Sequence, residues 1–109
     1  MHELSLMEDL VTAIEGQVTS GRVAAVHLEI GKLAAVVPDA LQFSFEVCAK
    51  GTRLEGAVLR VREIPGRARC RKCGGEQEID FVPPPCACGS IEWQVIAGRE
   101  LRLEGVEVV

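Results

Sequence analysis

Apolar residues recur along this chain with two alternating periods. Met7, Leu10, Val11, Ile14 and Val18 return at helical spacing, which predicts a helix from Ser5 to about Ser20. Ser5 and Glu8 have the spacing of a capping box, a hydroxyl for one free amide and a carboxylate for another. From Val23 to Ile30 the period changes to two. Val26, Leu28 and Ile30 alternate with Ala25, His27 and Glu29, which predicts a strand with one buried face and His27 turned to solvent. Pro38 suits the first turn of a second helix, where its missing amide costs nothing. Leu41, Phe45 and Cys48 or Ala49 would form its buried stripe, and Gly51 would end it. Cys48 reads as a small buried hydrophobe. Ala57, Leu59 and Val61 lead into a strand that stops at Pro65, and Arg99 to Val109 predicts a last one.

Between the last two elements the composition shifts. Residues 65–98 hold four of the five cysteines and four of the five prolines. The order is therefore helix, strand, helix, strand, module, strand. This predicts an α+β fold with two helices packed on a three-stranded sheet and an inserted zinc-ribbon-like module. The α/β domain would comprise residues 1–64 and 99–109, and the module residues 65–98.

Within 109 residues there is room for one ordinary domain with an insert. Hydrophobic residues are 48% and charged residues 26%, which suits a folded chain. The net charge of −4 argues against an extended basic surface. No uncharged run approaches membrane-spanning length. Glu3, Glu8 and Asp9 interrupt any signal-peptide pattern, so a cytoplasmic location is expected. In a reducing compartment clustered cysteines point to metal or redox chemistry rather than to bridges.

The cysteines form the motif Cys70-Arg-Lys-Cys73-Gly-Gly, a twelve-residue spacer, and Cys86-Ala-Cys88-Gly-Ser. Each glycine-relieved turn would aim two sulfurs at one centre, and two turns would complete a tetrahedron of thiolates, the donor set zinc favours. The expected zinc ligands are Cys70, Cys73, Cys86 and Cys88. Glu76 to Phe81 and Ile91 to Val95 would be the short strands of this ribbon. A thioredoxin-type site needs one cysteine pair, and an iron–sulfur cluster suits this spacing less well.

His2 offers a second chemistry. With Met1 retained, the terminal amine, the His2 amide nitrogen and the imidazole can chelate one ion in adjacent rings, and Glu3 can add a donor. Such nitrogen donors in a square plane suit Ni(II) or Cu(II). No P-loop or nucleophile elbow is present, so an enzyme is not expected. The basic cluster Arg67, Arg69, Arg71 and Lys72 around the first cysteine turn leaves a zinc-ribbon nucleic-acid-binding protein as the alternative. The charge and the scarcity of interleaved aromatics weigh against it.

Met1-His2-Glu3-Leu4-Ser5, Leu28-Glu29-Ile30-Gly31, Pro38-Asp39-Ala40-Leu41-Gln42-Phe43 and Gly98-Arg99-Glu100-Leu101 resemble the HypA/HybF hydrogenase nickel-insertion proteins, and the cysteine module lies where that family has its zinc site. The resemblance spans essentially the whole chain. One departure is the second cysteine pair, CxC where the family has CxxC. The resemblance implies a nickel metallochaperone that delivers Ni(II) to the large subunit of [NiFe] hydrogenase and, in some members, to urease. It implies a HypB-type GTPase as partner and nickel held at the N-terminus by His2, with backbone amides nearby and Glu3, to which the chelate chemistry above adds the Met1 amine. Zinc would be structural. The Pro- and Gly-rich joints of the insert would let two copies exchange it in a homodimer. Neither a nucleic acid nor a membrane is expected as a partner.

Overall fold

The computed structural model describes residues 3–109. Met1 and His2, two of the three expected nickel ligands, lie outside the described residues. The chain forms two compact units. One takes the residues up to Leu28, Ala35–Arg62 and Leu103–Val109. The other takes Glu29–Ala34 and Glu63–Arg102.

The first unit is built on helices α1 (Glu3–Gln17) and α2 (Pro38–Ala49). Most of the three-stranded sheet belongs to it as well, in the order β2 (Val58–Ile64), β1 (Val23–Gly31), β6 (Leu101–Val108). Met7, Val11 and Ile14 from α1 and Leu41 and Phe45 from α2 are buried with Val26, Leu28, Leu54 and Leu59. All but Leu54, which lies in the turn before β2, are positions the two periods pick out. Gln42 on α2 donates to the carbonyl of Leu59 on β2 at 2.8 Å, which ties helix to strand.

Three expectations need correction. Helix α1 begins no later than Glu3, so Ser5 lies inside it and is no capping residue. A carboxylate in the first turn complements the positive end of the helix, and no Ser5 cap is required. Strand β1 is central, and residues on both of its faces are buried. Ala25 and Glu29, expected outside, are buried, and only Ala24 is fully exposed in the strand. His27 is half-buried and lies 2.7 Å from the Glu107 carboxylate. Cys48 is half-buried while Ala49 is buried, because the turn of α2 that faces the core places Phe45 and Ala49 four residues apart there.

The second unit contains an antiparallel sheet in the order β4 (Glu76–Glu78), β3 (Arg67–Cys70), β5 (Trp93–Ala97). Strand β3, its centre, was missed because four residues carry too short an alternation to stand out. Strand β4 stops at Glu78, short of the expected Phe81, and β5 begins at Trp93, two residues after Ile91. Glu29–Ala34 joins this unit through the backbone. The N–H of Lys32 donates to Ile64 at 2.9 Å and that of Leu33 donates to Gly98 at 2.7 Å. Buried Glu29 receives a hydrogen bond from Arg102.

A four-thiol cage as candidate metal centre

Cys70 closes β3, and the chain then turns back on itself. The N–H of Gly74 donates to the Cys70 carbonyl at 3.0 Å, and the N–H of Cys70 donates to Gly75 at 2.8 Å. Gly74 has φ +76°, a left-handed conformation that a side chain would oppose. The N–H of Gly75 points at the Cys73 sulfur, 3.4 Å away. The second turn repeats this plan with one residue fewer. The N–H of Cys86 donates to Ser90 and that of Gly89 donates to Cys86, both at 2.8 Å, and Gly89 takes φ +92°. The N–H of Arg71 donates to Glu92 at 2.9 Å and brings the two turns side by side.

The result is a single cluster of Cys70, Cys73, Cys86 and Cys88, whose sulfurs all lie within 4.8 Å of one another. Cys70–Cys88 and Cys73–Cys86 are each 3.6 Å apart. Around a tetrahedral zinc with bonds of about 2.3 Å, sulfurs stand about 3.8 Å apart. The four thiols therefore fit zinc in number, element and spacing. Cys86 takes its place in the cluster despite the shortened motif. No other group of three or more metal-ligating side chains occurs among the described residues.

The electrostatics of the cage favour a cation. The backbone N–H of Cys73 holds the Cys70 pKa down at about 6, helped by the N–H of Lys72 and by the Cys88 and Cys73 thiols, while burial acts against them. At Cys86 the backbone N–H of Cys88 pulls the same way. Burial and the thiols of Cys88, Cys73 and Cys70 outweigh it, and the pKa is pushed up to about 12. Four thiols this close cannot all ionise by themselves, and a divalent ion at their centre removes that obstacle.

Glu3 stands in the first turn of α1. Arg67 and Arg69 of the basic cluster face Glu78 and Glu76 across the β3–β4 ladder. Arg69 and Glu76 are paired at 3.1 Å. Trp93 donates its indole N–H to Pro84 at 3.2 Å. This interleaving of acids removes much of the positive field that nucleic-acid binding requires.

The family described as hydrogenase/urease nickel incorporation, metallochaperone, HypA matches residues 1–108. The hydrogenase maturation factor HypA of Nostoc sp. is 47% identical over 108 residues, covering 99% of this chain and 96% of that one. The factor of the same name from Geobacter metallireducens is 45% identical over 109 residues, covering 99% of each. The solution structure of the Ni metallochaperone HypA from Helicobacter pylori superposes with a TM-score of 0.70 over 100% of this chain and 98% of that one, at 21% identity. With its helices, its two sheets and its four-thiol cage in place, the chain belongs to the HypA family of hydrogenase maturation factors, the nickel metallochaperones.

Proposed function

We propose that this protein binds Ni(II) at its N-terminus and hands it to the large subunit of a [NiFe] hydrogenase, with urease as a second recipient. The terminal amine of Met1, the amide and imidazole nitrogens of His2, and Glu3 hold the cargo. A HypB-type GTPase works beside it in the cytoplasm. The protein acts by binding and release and catalyses no reaction of its own. The observation that carries this reading is the family match, which begins at residue 1 and so includes the Met-His-Glu opening. Zinc is structural here: bound by Cys70, Cys73, Cys86 and Cys88, it would supply folding free energy to a module whose own core is small. A nitrogen-rich terminal site and an all-thiolate cage differ in donor chemistry, so the two metals can be sorted between them.

The test adds a single glycine before Met1. The extension moves the free amine away from His2 and leaves every cysteine in place. Metal analysis after exposure to both ions should find zinc unchanged and nickel sharply reduced. Equal nickel in the extended and native chains would overturn the assignment.

A further inference from the structure

The two helices leave an open groove between them. Its lining includes Leu4, Glu8, Val11, Val47, Cys48 and Thr52. Two large apolar side chains of its lining stand exposed, Leu4 at 45% and Val47 at 46%. Two packed helices with an apolar groove on their outer side provide the seat a third helix takes in helix-in-groove recognition.

Charge selects the occupant. Helix α1 carries Glu3, Glu8, Asp9 and Glu15, α2 carries Asp39 and Glu46, and neither helix has a basic residue. The helices thus carry −6 in a chain whose net charge is −4, and the acidity is concentrated on this layer. Every charged side chain lining the groove is a carboxylate. The Glu8 charge reaches the floor of the groove, where, after burial, it is a further cause of the raised pKa of Cys48. A second copy of this chain offers no suitable helix, since both of its own are acidic and like charges across an interface oppose docking.

We propose that the α1–α2 groove binds an amphipathic helix of a partner protein that presents a leucine-rich stripe flanked by lysine or arginine. The stripe packs against Leu4, Val11 and Val47, and the flanking cations meet Glu8 and Glu15. Neither metal is needed for this contact, so it stands or falls separately from the nickel site.

The probe is a synthetic helix of about four turns with leucines on one face and lysines on the other. It is titrated into the zinc-loaded full-length chain while amide NMR shifts are followed. Shifts should concentrate at Leu4, Glu8, Thr12, Val47, Cys48 and Thr52, and affinity should fall as salt rises. Replacing the lysines by glutamates should weaken binding about tenfold or more, as should permuting the leucines so that no stripe remains. Glu8→Lys and Val47→Lys, both at exposed positions, should weaken it several-fold with unchanged circular dichroism. The proposal is overturned by absence of binding, by shifts that map to the sheet or the cysteine module, or by equal affinity for the permuted or glutamate peptide.

Discussion

The sulfurs of Cys73 and Cys86 lie 3.6 Å apart, although thirteen positions separate them in sequence and the turn that carries Cys86 is one residue shorter than its counterpart. The Cys86–Ser90 and Cys86–Gly89 backbone bonds make up the difference. A shortened motif therefore still closes the cage. Cys86→Ser should lower zinc retention during dialysis against a chelator by about tenfold or more, since one of four thiolates is lost. Zinc content by mass spectrometry checks this, and retention equal to that of the unaltered protein would remove Cys86 from the ligand set.

Zinc uptake should release fewer than four protons per ion near pH 8. Cys70, held at about 6, has already lost its proton there, whereas Cys86, at about 12, gives its proton up only to the metal. In the metal-free chain the depressed Cys70 pKa contributes stability above the ordinary thiol value, and that stability is lost as pH falls through about 6. Below that value proton release should therefore rise toward four, and zinc affinity, which already declines with pH, should fall more steeply. An indicator-dye titration at two pH values measures both.

Nickel affinity should drop as pH falls below neutrality, because a terminal amine with an ordinary pKa near 8 and an imidazole near 6.5 must both be unprotonated to bind. His2→Ala should lose most Ni(II) binding by calorimetry and keep both zinc and fold. Unchanged nickel affinity in that variant would relocate the site.

Glu29 is only 4% exposed, and Arg102 donates to it. Arg102→Ala should cost about 1–3 kcal/mol in urea unfolding, because a buried acceptor loses a charged donor. Replacing both residues by apolar ones of similar size should recover much of that loss. A loss from Arg102→Ala too small to measure would mean that other contacts satisfy Glu29.

Gly66 lies against Leu33. A methyl group there would stand 2.8 Å from Leu33 Cδ1 and 2.5 Å from the carbonyl oxygen of Ile79. The carbonyl belongs to the backbone that receives no relief from a rotamer change, so Gly66→Ala should destabilise the module by about 1–3 kcal/mol. Hydrogen exchange at Leu33 and Ile79 should accelerate in the variant, and protection as strong as in the unaltered protein would contradict the contact.

The helical and strand periods made most of the first unit legible. Met7, Val11, Ile14, Val26, Leu28, Leu41 and Phe45 are buried as their spacing requires. The four-cysteine cluster was legible for another reason: two cysteine pairs, each followed by glycine, have the spacing of two turns that aim sulfurs at one centre. Strand β3 and the attachment of Glu29–Ala34 to the second unit were hidden. Both depend on backbone hydrogen bonds, which any residue but proline can make and which leave no mark on composition.

The chain's own residues determined the order of elements, the thiol donor set and the terminal imidazole, because local propensity and donor chemistry act over a few neighbouring positions. Tertiary structure alone decided that residues on both faces of β1 would be buried, that Ala49 rather than Cys48 would face the core, and that Cys86 would meet Cys73. Each of those outcomes depends on which distant segment arrives alongside, and that is set by packing the whole chain at once.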